Sequence, residues 1–162
     1  MIQVPLIKTA GLGMLIAALS LGIACAAPYA VGSKVDAFQA KDQFEADFTF
    51  KPSATRYLLV SHDMETGKKA NAALSALGKD FLGSKKAVYM ANIFGMPGIG
   101  RMFAMPKMKK YNHQIILADD AALIANFPEQ AGKVTVLTLS GGKVASVSYW
   151  TPGAEDIGTL LK

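Results

Sequence analysis

Cysteine is nearly absent from this 162-residue chain, in which Cys25 is the single example. A disulfide requires two cysteines, so a disulfide-stapled scaffold is excluded. Redox exchange within a pair of cysteines is excluded by the same count, because that reaction begins when a thiolate attacks a sulfur atom. The two histidines, His62 and His113, are too few for a zinc site with three histidine ligands.

Charge is also sparse, since 18% of the residues are charged and the formal net charge is +5. No basic stripe with interleaved aromatic residues occurs, so nucleic acid is not expected as a partner. The 51% hydrophobic content is concentrated near the start of the chain. The remainder has the composition of a soluble globular protein, and its length fits a single domain.

Residues 1–27 have the pattern of a secretory signal. Lys8 precedes an apolar run over residues 12–24, and a group of small residues follows that run. This succession of a basic, an apolar and a small-residue region is typical of signal peptides. A membrane-spanning helix requires about 20 apolar residues, which is more than this run provides. We therefore predict a signal peptide over 1–27, a periplasmic location and one domain over 28–162.

Cys25 leaves a second interpretation of this segment open. It could be the acylated cysteine of a lipoprotein signal, which would attach the protein to a membrane. Gly22 lies three residues before it, where that signal usually has a large aliphatic residue. If the signal is cleaved without acylation, Cys25 is removed and the mature protein contains no thiol.

The order of the predicted elements indicates a mixed α/β sheet. Loose alternation of Phe44, Phe48 and Phe50 indicates short strands, and the apolar run over 56–61 is typical of a central strand. Ser140 and two glycines separate the last two strands as a hairpin turn. The other predicted strands are 86–94, 114–117, 133–139 and 143–150, and the predicted helices are 68–82, 121–125 and 152–162. This order gives a sheet with helices on both faces.

Residues 59–77 (LVSHDMETGKKANAALSAL) resemble the strand, active-site loop and helix of thioredoxin. The sequence GGKVA at 141–145 falls where thioredoxins have their closing hairpin. Residues 32–43 carry a G…F…D-Q pattern that is similar to the opening segment of peroxiredoxin- and TlpA-like domains. The resemblance implies a thioredoxin-like fold, a mixed β-sheet flanked by helices, over residues 32–162.

A narrower similarity joins residues 93–95 (IFG) and Asp119–Asp120 to the YtfJ-type proteins, which are small, periplasmic, thioredoxin-like and of unknown function. The two thioredoxin cysteines fall on Gly67 and Ala70, and the proline that faces them falls on Val134. The resemblance therefore implies the fold without thiol–disulfide oxidoreductase or peroxidase activity.

The loop after the central strand holds three candidate functional residues, His62, Asp63 and Glu65. Ligands favour the carboxyl ends of strands in open α/β sheets. An enzyme that uses His62 and Asp63 as acid and base is one hypothesis, and helix capping with solvated loop charges is the other.

Residues 90–113 contain five of the six methionines that follow the predicted signal peptide. Thioether sulfur is soft and suits Cu(I), so this methionine-rich segment is an alternative copper site. Methionine also fills irregular cores and forms adaptable partner surfaces. Pro106 is expected to interrupt any helix here. The candidate copper ligands are Met96, Met102, Met105, Met108 and His113.

Together these observations predict an exported, non-enzymatic, thioredoxin-like module that binds another periplasmic protein. Its contact surface is predicted to combine the loop with an insertion over 94–112. No cofactor is expected unless copper binds, and membrane contact is expected only through lipidated Cys25 or the apolar residues 94–105. The predicted surface residues are His62, Asp63, Glu65, Phe94, Met96, Arg101, Met102 and Phe103.

Overall fold

The computed structural model describes residues 27–162, so the predicted signal peptide up to residue 26, including Cys25, lies outside the described residues. The strands are β1 (Gln39–Asp42), β2 (Asp47–Thr49), β3 (Tyr57–Ser61), β4 (Ala87–Asn92), β5 (Ile116–Ala118), β6 (Val134–Ser140) and β7 (Lys143–Trp150). The helices are α1 (Met64–Ala76), α2 (Phe81–Ser84), α3 (Gly98–Met108) and α4 (Ala121–Ala125). Two 3₁₀ turns cover Pro52–Ala54 and Ile157–Thr159.

All the strands belong to one mixed sheet in the order β2-β1-β5-β4-β3-β6-β7. The central strands β3, β4 and β5 run parallel, and β6 pairs antiparallel with both β3 and β7. Every residue of β3 is buried. The continuous apolar run therefore forms a central strand covered on both faces, as predicted.

Alternate residues of β3 divide the interior into two cores. Leu59 points into the first core, which α1 and α3 cover, and Leu58 points into the second core. The second core is covered by α4 and by the segment before β1. This division follows from the two-residue period of a strand, which sends successive side chains to opposite faces.

The predicted helix over 68–82 is two helices, and this prediction is corrected. Asp63 caps α1, because its side chain accepts hydrogen bonds from the amide and the hydroxyl of Thr66 at 2.8 and 2.6 Å. Gly78 has a φ of +92°, a conformation that ends a helix and that glycine adopts without steric cost. Leu77, which lies within that predicted helix, is 42% exposed because the helix has ended before it.

The predicted helix over 152–162 was wrong, since only the 3₁₀ turn at Ile157–Thr159 forms. The carbonyl of Glu155 accepts a hydrogen bond from Nε1 of Trp150 at 2.8 Å, so it is not available to a helix. Ile157 and Leu161 nevertheless point into the first core.

Two smaller predictions are also corrected. Pro106 lies inside α3, which continues to Met108 although proline has no amide to donate to the carbonyl of Met102. Phe44 lies in the turn between β1 and β2 and is 58% exposed, so it is not part of a strand. Within residues 27–162, no helix is both long and apolar enough to cross a membrane.

Candidate functional site

A cleft of about 360 Å³ lies between α1 and α3, beside the carboxyl ends of β3 and β4. Side chains from both helices pack on the first core, so α1 and α3 share one face of the sheet. Crossovers between parallel strands are nearly always right-handed, which places successive crossover helices on the same face. The cleft therefore occupies the position where open α/β sheets usually bind ligands.

The walls of the cleft are mostly apolar, and its rim is charged. The volume falls within the range of ligand pockets, which is about 300–1,000 Å³. Two lysines and two acidic residues surround the opening. The apolar wall residues are Met64, Met96, Phe103, Ala104 and Met108, and the charged residues are Asp63, Glu65, Lys68 and Lys107.

The floor of the cleft contains two deeply buried polar side chains, Ser61 and Asn71, which are 1% and 2% exposed. Oγ of Ser61 lies 2.9 Å from the hydroxyl of Tyr89. Burial raises the pKa of Tyr89, so this phenol keeps its proton. The two hydroxyls thus carry two hydrogens but share one hydrogen bond, which leaves one O–H donor without an acceptor there.

Asn71 also has a donor to spare. Its Oδ1 accepts a hydrogen bond from Nε2 of His113 at 3.0 Å. Its Nδ2 bonds to none of the residues that the structure describes, and this atom is not sealed in the interior. The inward face of α1 therefore presents an amide donor to the cleft.

Gly67 opens the space above Ser61. It lies one helical turn before Asn71 on the inward face of α1, where a Cβ would lie 3.3 Å from Oγ of Ser61. Gly67 and Ala70 are the positions on which the thioredoxin cysteines fall, and both are buried. Neither position carries a polar side chain, so the chain has no group there that could replace a thiol.

His113 supports the floor and does not line the cleft. Because Oδ1 of Asn71 can only accept, Nε2 of His113 is the donor, and Nδ1 faces Oγ of Ser75 at 3.4 Å. The ring also lies edge-on to Tyr89, with centroids 5.9 Å apart. Burial lowers the pKa of His113 to about 4, so the imidazole is neutral in the folded protein at neutral pH.

His62 points away from the cleft. The hydroxyl of Thr135 donates to the carbonyl of Pro128, so it must accept from Nε2 of His62 at 2.9 Å. Nδ1 of His62 lies 4.0 Å from a carboxylate oxygen of Glu129. Burial lowers the pKa of His62, and this effect exceeds the attraction of the Glu129 and Asp63 carboxylates, which raises the pKa.

The two acidic residues of the loop have local partners. Burial would raise the pKa of Asp63, but hydrogen bonds from Thr66 lower it below the usual value. Glu65 lies 3.7 Å from Nζ of Lys69, one helical turn away. The structure therefore places Asp63 as a helix cap and Glu65 in an exposed ion pair at the rim.

The four candidate methionine ligands divide between two sides of α3. Met96 and Met108 line the cleft, whereas Met102 and Met105 line a broader, open groove of about 1090 Å³ on the other side. His113 is engaged beneath α1. No group of three or more His, Cys, Asp or Glu side chains positioned for a metal ion occurs within residues 27–162.

Arg101 fastens α3 to the sheet. Its guanidinium donates to both carboxylate oxygens of Asp119 at 2.6 and 2.5 Å, and its pull lowers the pKa of that carboxyl. It also donates to the carbonyls of Ile93 and Met96, each at 3.2 Å. A bidentate ion pair of this kind fixes the orientation of the two side chains as well as their distance. Arg101 thus positions the helix, although the sequence placed it among the contact residues.

Three of the remaining predicted contact residues, Phe94, Met102 and Phe103, form an exposed apolar patch together with Ile99, which was not predicted, whereas the predicted Met96 is half-buried and lines the cleft. We define the α3 patch as Phe94, Ile99, Met102 and Phe103. Each of these side chains is more than half exposed. Met64, across the cleft from Phe103, is 60% exposed. Phe103 belongs to both the patch and the cleft, so the two surfaces meet on α3.

The sequence interpretation missed Ser61, Asn71, Lys68 and Lys107 as cleft residues. The spacing of Gly67 and Asn71, four residues apart on the inward face of α1, was the available signal. An asparagine on the buried face of a helix requires a partner, and that requirement indicates a polar site.

The sequence matches no protein-family model and no curated protein. Several solved structures have folds that are similar to this one. The thioredoxin domain of a thiol-disulfide oxidoreductase from Bacteroides vulgatus has a TM-score of 0.52 at 12% identity, and the match covers 82% of this chain and 99% of that domain. A peroxiredoxin-like protein from Aquifex aeolicus has a TM-score of 0.56 at 11% identity, with coverages of 85% and 88%. A thio-disulfide isomerase from Thermus thermophilus has a TM-score of 0.51 at 18% identity, with coverages of 82% and 94%.

At these identities the likeness establishes the fold and nothing further. The chain has the thioredoxin-like fold, so the predicted fold class is confirmed. Its single cysteine, Cys25, precedes that fold in the sequence, and the named neighbours are thiol–disulfide or peroxiredoxin-like proteins.

Proposed function

We propose that this protein is an exported binding module that uses a thioredoxin-like fold without thiol chemistry. A partner protein docks on the α3 patch and the rim of the cleft. The observation that carries the proposal is the concentration of exposed apolar side chains around α3, where Phe94, Ile99, Met102 and Phe103 occur within ten residues. Large apolar groups exposed together mark interaction surfaces.

The composition of the patch supports a protein partner. Aromatic residues and methionine are enriched at interfaces, because they bury much area and adapt to a partner's shape. The bonds from Arg101 to Asp119, Ile93 and Met96 hold α3 in place before any partner arrives. A preformed surface avoids part of the entropy cost of binding.

The cysteine count supports the absence of thiol chemistry. Thiol–disulfide exchange needs a reactive sulfur at the helix that follows the central strand. Here Asp63 caps that helix, and the two aligned positions hold Gly67 and Ala70. Export is supported by the signal-like pattern over residues 1–27, which would also remove Cys25.

Catalysis by His62 and Asp63 has less support than binding. Both ring nitrogens of His62 face Thr135 and Glu129, on the side away from the cleft. The carboxylate of Asp63 is occupied by the two hydrogen bonds from Thr66. A catalytic pair needs free atoms that reach the same substrate, and His62 presents none toward the cleft, although Asp63 lies at its rim.

The experiment is affinity capture from periplasmic extract with the purified protein and two matched variants. One variant carries Met102→Glu and Phe103→Glu, and the control carries Val31→Glu, an exposed apolar residue outside the patch. Losing two buried contacts of about 1.5–3 kcal/mol each should weaken binding roughly 100-fold or more. The partner should be retained by the parent and the control and lost by the double variant. Recovery of the same proteins by all three would contradict the proposal.

A further inference from the structure

We infer that the floor of the cleft binds the carboxylate of a small amphipathic acid, one with an apolar tail. The inference deepens the proposed function and rests on the cleft being a binding site. It goes beyond the partner surface because it concerns Ser61 and Asn71, which lie beneath the rim and which a protein docked on α3 would not reach directly.

Two donors without acceptors among the described residues carry the inference, and only the first of them is buried. The hydroxyl pair of Ser61 and Tyr89 leaves one O–H hydrogen unpaired, and Nδ2 of Asn71 is open to the cleft without a protein partner. A buried donor left unsatisfied costs about 1–3 kcal/mol. A ligand oxygen that accepts from the hydroxyl would recover that cost, and the amide offers it a second hydrogen bond. The floor therefore selects an acceptor, and a carboxylate offers two oxygens.

Gly67 determines whether the ligand reaches the floor. Any side chain at this position would start 3.3 Å from Oγ of Ser61 and would occupy the space above the hydroxyl. The missing side chain keeps Ser61 open to the cleft from the side of α1.

The walls and rim define the rest of the ligand. Met64, Met96, Phe103 and Met108 form an apolar wall that suits a hydrocarbon tail. Lys68 and Lys107 at the rim favour an anionic ligand over a neutral or cationic one.

Two acidic residues, Asp63 and Glu65, also line the cleft and oppose an anionic ligand. Asp63 caps α1 with a lowered pKa, so it is ionised, and its charge reaches the hydroxyl of Tyr89. Glu65 lies 3.7 Å from Nζ of Lys69, which offsets its charge. Lys68 and Lys107 therefore outnumber the one remaining carboxylate at the rim, and the local charge favours an anion.

The test is titration calorimetry of the full chain with decanoate, beside decanol and decyltrimethylammonium, which have the same tail but a neutral or a cationic head group. Gly67→Ala is the diagnostic variant, since alanine suits a helix and its methyl group fills the floor. Gly83→Ala is the matched control, because a Cβ there meets no atom within 4 Å. Asn71→Asp keeps the acceptor for His113 while replacing the amide donor with a negative charge.

Decanoate should bind at least tenfold more tightly than either other probe. Gly67→Ala and Asn71→Asp should each weaken decanoate binding at least tenfold, and Gly83→Ala should leave the affinity for decanoate unchanged. Equal affinity for the three probes, or unaltered decanoate binding by Gly67→Ala, would overturn the inference. If decanoate fails to bind while the Met102→Glu and Phe103→Glu variant still loses its partner, the inference falls and the proposed function stands.

Discussion

The buried imidazole of His113 makes the stability of this fold depend on pH in a defined window. The folded protein holds His113 neutral, with a pKa of about 4, whereas the unfolded chain takes up a proton below the ordinary value of 6.5. The unfolded state therefore binds more protons between these values, and the free energy of unfolding falls as the pH falls. The contribution of His113 is complete above pH 6.5 and is lost progressively toward pH 4.

The size of this loss follows from the difference between the two pKa values. Each pH unit in the window is worth about 1.4 kcal/mol, so protonation linked to His113 should lower the free energy of unfolding by about 3 kcal/mol between pH 7 and pH 4, and His62, whose pKa burial also lowers, adds to that fall. This is a large fraction of the roughly 5–15 kcal/mol that stabilises a typical domain. The assay is urea unfolding at several pH values, followed by fluorescence of Trp150, the single tryptophan, which is fully buried.

A variant separates His113 from the other titrating groups. His113→Gln removes the imidazole and keeps an amide that can donate to Asn71. The variant should be less stable at pH 7 but should lose about 3 kcal/mol less than the parent on acidification to pH 4. The pKa values of Asp42, Asp63 and Asp119 are lowered, so protonation of these carboxylates changes the free energy of unfolding below about pH 4 and not in this window. Parallel pH profiles for parent and variant would refute the assignment.

Three further outcomes follow from the geometry of α1 and α3. Asp63→Ala should lower the free energy of unfolding by about 1 kcal/mol, because α1 loses its cap, whereas Asp63→Asn should retain most of it. Pro106→Ala should slow amide hydrogen exchange in α3, because alanine supplies the missing donor to the carbonyl of Met102; unchanged exchange would contradict this. Cu(I) titration under reducing conditions should give no site tighter than about micromolar, because the methionine sulfurs lie on two sides of α3.

The central features of the fold were predictable because their signals are local. The apolar run that forms β3 and the serine–glycine–glycine turn between β6 and β7 each specify their structure within a few residues. The absence of a thiol at Gly67 and Ala70 was equally visible in the sequence.

Features that depend on distant partners were not predictable in the same way. α1 ends before Gly78, which has a positive φ. A 3₁₀ turn replaces the last predicted helix, where Trp150 donates a hydrogen bond to the carbonyl of Glu155. Tertiary context commonly overrides helical periodicity in this manner.

The candidate site was predicted only in its outer parts. The sequence named three of the four residues of the α3 patch, all but Ile99, as candidate contact residues. The floor of the cleft instead joins residues that lie 28 and 42 positions apart, as Ser61 with Tyr89 and Asn71 with His113. A single sequence shows neither pairing. It also placed His62 beside a site from which its side chain points away, because the loop position does not reveal the direction of the ring.

The most direct test of the central claim is photo-crosslinking in the native cell. Phe103, in the α3 patch, and Val31, outside it, are each replaced by p-benzoylphenylalanine; their exposed fractions, 63% and 68%, are similar. The account predicts a crosslinked adduct of one defined mass at position 103 and none at position 31, with or without Cys25→Ser. No adduct at position 103, or the same adducts at both positions, would contradict it.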